Sequence, residues 1–447
     1  MYQAFRNATR SFRRKHGPRA IIARLGNGLR LKLAQLRRGR SKALHIGITG
    51  SSAKSTTTAL LAHILEGQGS VYAQVCENTI PQLARTLCHA PSQADYVVAE
   101  VGATVKGSIT PMARLLRPDV AIITKVGLEH YSAFRGKDAV AQEKGELVAA
   151  LPPSGLAVLN ADDPHVMAMA KRTQARIVTF GRSEGADYRL DAAEAAFPQL
   201  LKVTVSCRKG SFELQTAFVG EEFWIATLGA FATAVELGVP PTLAASRIAG
   251  FAAPWNRCGI LATAGGPTFI VDTVKAPNDS IPAAIAILRN AQPANKRAVI
   301  GFISDYTGGP RKGTALAYDL AYQCSDQFIF VGENGHRARP TAEDRNSCKF
   351  VDFLLPKEAS DYVKATSRPN ELILLKGSQT QHLERIALSW THDVQCWETN
   401  CGKYIDCLQC GMVEVPYHDH RKARKARARA LRNKDMSRSS QDVELRE

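Results

Sequence analysis

The chain has 447 residues, 45% of them apolar and 22% charged, enough to bury a full core in two or three domains. Its formal charge of +17 sits at the ends: residues 1–44 hold thirteen Lys/Arg and no acid, and residues 421–434 hold eight more, so the part between is slightly acidic and is not a basic surface. No apolar run reaches the roughly 18 residues of a membrane span and none resembles a secretory h-region, which excludes a spanning protein and makes the cytoplasm the expected compartment.

Residues 1–42 read as a basic N-terminal arm. Within it, AIIARLGNGLRLKLAQLRR (20–38) sets apolar residues at near-helical spacing between arginines. That pattern suits a helix lying peripherally on an anionic membrane surface, an RNA-contacting arm, or an Arg-rich transit segment. It equally suits a helix packed on the core by one face.

ALHIGITGSSAKSTTTAL (43–60) then gives an apolar strand, a small-residue loop, a lysine, a run of hydroxyls and a helix. This order predicts a phosphate-binding loop. Gly50, Ser51, Ser52 and Ala53 let backbone N–H groups turn toward an anion, and the helix N-terminus adds its dipole. Lys54 would reach the β/γ-phosphates of ATP, and Ser55 or Thr56 would hold Mg²⁺. Ile48 and Ala53 occupy the two glycine positions of the strict pattern, so a Ser/Thr-rich helix cap competes with this reading.

QADYVVAEVGA (93–103) is an apolar run ending in Glu100, a carboxylate placed for Mg²⁺ or else a solvated strand-end acid. PDVAIITKVGLEHYSAF (118–134) is another strand and a polar turn with His130. AQEKGELVAAL (141–151) predicts a helix in which Lys144 stands beside Glu143 and Glu146, and GLAVLNADDP (155–164) a strand running into an acidic turn. Strand–loop–helix alternation at this spacing predicts a parallel sheet with ligands at the strand C-terminal ends.

GITGSSAKSTTT, AEVGA, VGLEHYSAF, EKGEL and LNADDP, in that order, resemble the Mur ligases, ATP-dependent enzymes that form the amide bonds of the peptidoglycan stem peptide. The resemblance continues through PWNRCG (254–259), VDTVKAPNDSIPAA (271–284) and LILLKGSQ (372–379), covering about residues 43–390. It implies an acyl-phosphate mechanism joining a small-molecule acid to an amine. It also implies that Lys54 and Ser55 bind triphosphate and Mg²⁺, that Glu100 and His130 complete the metal sites, and that Lys144 is a carbamylated Mg²⁺ ligand. Arg257 and Asp272 would hold nucleotide from the second domain, and Lys376 and Ser378 would position the amine. Apart from the resemblance, Lys376 reads equally as a strand-end cap.

Three departures are visible. The stretch before the phosphate loop is too short and too basic for the UDP-sugar domain that the resemblance implies. In EEFWIATLGAFATAVELGV (221–239), Trp224 and Thr227 stand where the family has asparagines near adenine, which implies a different adenine contact such as stacking on Trp224. Lys275 replaces an Asn or His in the DTVKAPNDS loop.

Six of the ten cysteines are scattered, but Cys396, Cys401, Cys407 and Cys410 are bunched, and four thiolates at this spacing predict a structural Zn²⁺ site in which His418 or His420 would replace one ligand. The expected architecture is therefore α/β: the arm (1–42), a P-loop parallel-sheet ATP-binding domain (43–253), a smaller Rossmann-like α/β domain (254–393), a zinc-binding module (394–420) and a disordered basic tail (421–447). The rivals to a cell-wall ligase are a ligase for a non-peptidoglycan acid or peptide and a nucleotide-binding scaffold on membrane or RNA.

Overall fold

Short apolar runs, each closed by a polar turn, become parallel strands covered on both faces. The computed structural model describes residues 18–129, 131–305 and 310–429. They divide into two compact units. One holds the chain up to Glu194 with 200–217 and 221–252, and the other holds 195–199, 218–220 and the chain from Ala253.

The first unit contains β1 (Leu44–Thr49), β2 (Val71–Gln74), β3 (Tyr96–Glu100), β4 (Val120–Ile123), β5 (Leu156–Asn160), β6 (Arg176–Gly181), β7 (Tyr188–Ala196), β8 (Gln199–Cys207) and β9 (Gly210–Gln215). Their order is β2-β3-β1-β4-β5-β6-β7-β8-β9. β1 through β6 pair in parallel, and β8 and β9 are antiparallel. β4 and β5 are buried along their whole length, as strands sandwiched between helix layers must be. The chain runs from β1 outward to β2 and β3, then returns past β1 to β4. The strand order thus reverses between β1 and β4, which is where open parallel sheets bind ligands.

A helix spans Pro18–Arg40. It buries Ala34, packs Leu31 on the main core cluster, and uses Arg38 to donate to the carbonyls of Leu116 and Arg117, both at 2.6 Å. These carbonyls close the helix Ile109–Leu116, whose last acceptors need partners. Its described part therefore rests on the core by one face. Leu29, Leu33 and Leu36 remain 71%, 47% and 62% exposed on it. No helix among the described residues is long and apolar enough to cross a membrane.

The second unit contains β10 (Arg257–Ala262), β11 (Thr268–Asp272), β12 (Lys296–Ile300), β13 (Gln327–Val331), β14 (Phe350–Phe353) and β15 (Leu372–Lys376), in the order β10-β11-β15-β12-β13-β14. Only β10 runs antiparallel to its neighbour among the pairs formed. The sheet core joins Phe269, Val271, Val299, Ile329 and Leu375 to Leu383 and Ile386. Residues beyond the expected boundary at 393 pack on this unit: Leu388, Val394, Cys407 and Val413 cluster with Trp255 and Trp397. Residues 420–429 are helical, which corrects the expected disordered tail there; 430–447 lie outside the described residues.

Candidate active site

The loop after β1 is held in place by the turn after β4. Ser51 donates its N–H to the Lys125 carbonyl at 2.7 Å, its hydroxyl exchanges hydrogen bonds with Gly127, and Thr124 Oγ1 donates to the Ser52 carbonyl at 2.7 Å. A Cβ on Gly50 would lie 1.8 Å from Thr124 Oγ1, so only glycine allows this approach. Ala53 takes φ 64°, the left-handed conformation for which the strict phosphate-loop pattern uses glycine. The helix Lys54–Leu65 starts immediately after it. Thr49 Oγ1, at the foot of the loop, is buried with no hydrogen-bond partner among the described residues.

Glu100 ends β3 and is 2% exposed, not solvated. Ser55 Oγ donates to its Oε2 at 2.7 Å, the Cys76 N–H to the same oxygen at 3.0 Å, and Asn78 Nδ2 to Oε1 at 3.2 Å. The Asn78 side chain passes over Gly102, where a Cβ would lie 2.6 Å from Asn78 Cγ, which accounts for the glycine in AEVGA. A carboxylate and a hydroxyl brought together at a strand end are hard oxygen donors suited to Mg²⁺.

Lys54, Lys144 and Glu129 form a second group. Lys144 is completely buried and donates to Glu129 Oε1, while Lys54 Nζ lies 3.8 Å from Oε2 of the same carboxylate and also donates to the Gly50 carbonyl. Burial lowers the Lys144 pKa to about 8 against the raising effect of Glu129, with Lys54 nearby lowering it further. This is not the exposed helix pair with Glu143 and Glu146. Glu143 instead accepts from the N–H groups of Gly107 and Ile109, both at 2.7 Å, and Glu146 pairs with Arg172.

Glu129 was not among the expected site residues, although it directly precedes His130, which lies outside the described residues. Asn160 and Asp163 were also missed as individuals. Asn160 Nδ2 donates to the Thr124 carbonyl and Asp163 Oδ2 accepts the Val126 N–H, each at 2.7 Å. The acidic turn of LNADDP thus supports the turn that supports the phosphate loop.

In the second unit, Asp272 and Lys376 occupy paired positions on β11 and β15, and Lys376 Nζ lies 2.8 Å from Asp272 Oδ2. Lys376 is 2% exposed and also donates to the Lys275 carbonyl. As placed, it neutralises Asp272 and is not open to an incoming amine. Ser378 is half-buried, with its hydroxyl 3.0 Å from Thr380 Oγ1. Arg257 opens β10 opposite Asp272 in the register. Asn278 Oδ1 is buried without a partner among the described residues, an acceptor in the same loop as Lys275. Trp224 and Thr227 are buried in the first unit. Trp224 packs edge-on against Phe180 with the Arg182 guanidinium 5.6 Å over its ring, and Thr227 donates to the Phe223 carbonyl. That burial argues against stacking on Trp224.

The four bunched cysteines line one cavity of about 410 Å³ in the second unit. One donor group there differs from the expected four-cysteine set. Donor atoms of His382, Glu384 and Cys407 lie within 4.8 Å of one another. Burial, with Glu384 alongside, pushes the Cys407 thiol above its usual range. His418 is exposed beside Asp419, and His420 Nε2 meets the Val415 carbonyl at 3.0 Å.

The family model for the Mur ligase middle domain matches residues 48–234. The UDP-N-acetylmuramoyl-tripeptide–D-alanyl-D-alanine ligase of Mycobacterium bovis is 32% identical over 380 residues, 78% of this chain and 73% of that protein. The protein of that name from Bacillus subtilis is 25% identical over 354 residues, 76% of this chain and 74% of its own. Among solved structures, a crystal structure of MurF from Acinetobacter baumannii matches with a TM-score of 0.73 and 26% identity over 81% of this chain and 80% of that one. The MurF ligase of Thermotoga maritima, solved in complex with ADP, shares the fold, with a TM-score of 0.70 and 19% identity over 81% and 83%.

Gly50→Ala should remove nucleotide binding at least tenfold, because the loop must leave Thr124 to make room. Titration with a fluorescent ATP analogue checks this, and unchanged affinity would show that the approach to Thr124 does not matter for binding.

Proposed function

This chain belongs to the Mur ligase family and is an ATP-dependent ligase, and we propose that it joins D-alanyl-D-alanine, or an amino acid, to the carboxylate of a UDP-muramyl peptide in the cytoplasm. The reading rests on the convergence of Lys54, Ser55, Glu100, Glu129 and Lys144 at the ends of neighbouring strands, together with the printed names of the relatives. In it, the acid attacks the γ-phosphate of ATP to give an acyl phosphate and ADP, and the amine displaces phosphate to form the amide. Both partners of the first step are anions, so the site must neutralise charge before it can bring them together.

The residues fit ATP and Mg²⁺. The loop Gly50–Ala53 with Thr56 cradles phosphate, the unpartnered Thr49 hydroxyl lies at its foot, and Lys54 carries the compensating charge. Ser55 and Glu100 would hold Mg²⁺, with His130 and Lys144 as the further ligands. Bound Mg²⁺ supplies charge neutralisation on the phosphates. Arg257, Asp272 and the Asn278 amide would contact the nucleotide, and Ser378 the amine, with Lys376 setting the charge of Asp272.

Lys54→Ala should lower turnover by at least about 100-fold, since its ammonium would neutralise the developing phosphate charge. The assay is amine-dependent phosphate release with Mg²⁺-ATP. UDP-muramyl peptides and free amino acids or short peptides serve as acids, and D-alanyl-D-alanine and single amino acids as amines. Turnover only with free acids or peptides would replace the cell-wall substrate by another acid. ATP binding without turnover on any pair would favour the scaffold.

Lys144 would act as its carbamate. Only a neutral amine adds CO₂, losing a proton as the N–C bond forms. With its pKa near 8, roughly one Lys144 in ten is neutral at pH 7, against about one in several thousand for an ordinary lysine. The neutral fraction rises with pH through 8, so the carbamate should form more readily from pH 7 to 8. Turnover should fall in CO₂-free buffer and return with bicarbonate, and Lys144→Arg should not respond. Turnover indifferent to bicarbonate would exclude the carbamate.

A peripheral membrane role is supported by exposed Leu29, Leu33 and Leu36 on a helix that also carries Arg30, Lys32, Arg37 and Arg40. The full chain should sediment with vesicles of anionic lipid, and L29E/L33E/L36E should release it. Binding to RNA but not to vesicles would overturn the membrane reading.

A further inference from the structure

We propose that the cavity walled by the cysteine segment binds one zinc-class divalent ion, with His382 as its imidazole ligand and Cys401, Cys407 and Cys410 as its thiolates. The histidine is the unexpected member. It lies 19 residues before Cys401 and outside the cysteine cluster, yet its Nε2 lies 3.1 Å from Cys401 Sγ. Nδ1 of the same ring lies 3.1 Å from Glu384 Oε1 and 3.6 Å from Cys407 Sγ.

A carboxylate on one imidazole nitrogen fixes the tautomer that leaves the other free to bind a metal. Glu384 is 1% exposed, and its second oxygen has no hydrogen-bond partner among the described residues. An unpaired buried carboxylate oxygen is costly, and a cation nearby relieves it. Cys407 and Cys410 open and close a single helical turn capped by Asp406, which puts two sulfurs on one knuckle.

Two arginines also reach these sulfurs. Arg385 Nε donates to Cys407 Sγ at 3.1 Å, and Arg424 Nη2 to Cys410 Sγ at 3.7 Å. Three thiolates and an imidazole form a closed four-ligand set that is soft enough to select zinc over the hard Mg²⁺ of the phosphate site. Cys396 lines the same cavity and is the thiol that His382 replaces in this set. Binding would release the thiol protons and join two separate stretches of chain. One is the loop after β15, where Gln381 accepts the Phe302 N–H and donates to the Val331 carbonyl. The other is the segment 401–410.

The test is metal analysis of the purified full chain, followed by Co²⁺ substitution and competition with a chelator. One equivalent of zinc is expected, with a Co²⁺ spectrum showing tetrahedral bands and thiolate charge transfer. His382→Ala and Cys401→Ser should each weaken the metal at least 100-fold, while Cys348→Ser, an exposed thiol outside the cavity, should leave it unchanged. Should the first two fail to fold, Glu384→Gln keeps the shape and should weaken affinity tenfold to 100-fold. Absence of metal with four freely titrating thiols would overturn the site. A His382→Ala protein with full metal and an unaltered Co²⁺ spectrum would overturn the assignment of the histidine.

Discussion

The close approach of the Gly50 backbone to the Thr124 side chain is the constraint on which the loop after β1 depends. It is made where strand order reverses, between β1 and its hydrogen-bonded neighbour β4. The support comes from β4, and β4's turn is in turn held by Asn160 and Asp163 at the end of β5. The ends of β4 and β5 thus fix one loop, mostly through hydrogen bonds between side chains and main chain. An anion-binding loop must present N–H groups already turned inward, because ordering them at the moment of binding would cost about 1–2 kcal/mol per residue. The straps from β4 and β5 remove that cost in advance.

The charges around the loop follow from this scaffold. Glu100 accepts three hydrogen bonds, which hold its carboxylate in place. Glu129 is shared by two lysines, so this group of three carries one positive charge in excess. Buried charge is tolerated when paired. The second unit shows the opposite balance. Lys376 and Asp272 cancel one another, and the Asn278 amide oxygen in the loop after β11 has no hydrogen-bond partner among the described residues.

Much of this was legible in the sequence because parallel strands buried on both faces read as continuous apolar runs, and because the loop, Glu100 and Lys144 each stand at the end or side of such a run. β1, β3, β4 and β5 and the second sheet's VDTVKAP, KRAVIGFI, QFIFVG and LILLKG follow that rule. What stayed hidden was pairing at a distance. Lys376 meets Asp272 only through the register of two strands separated by a hundred residues, and His382 meets Cys401 only after the chain folds back past the helix Glu384–Leu388. Trp224 was misjudged for another reason. An aromatic at a ligand position reads as a stacking surface, but the helix that carries it is buried on nearly every side, so the ring fills the core.

Lys144 ties these strands of argument together. A lysine with no exposed surface must be paired or lose its charge, and the fold gives it Glu129 as a partner while setting Lys54 close enough to oppose its charge. As an ammonium, Lys144 ties up Glu129 and repels any cation near Glu100. As a carbamate it would carry the negative charge itself, Glu129 would be left to Lys54, and two anionic side chains would stand ready for a divalent ion. One buried side chain therefore sets the sign of the site. The same burial that makes its charge expensive is what would make the amine reactive enough to change that sign.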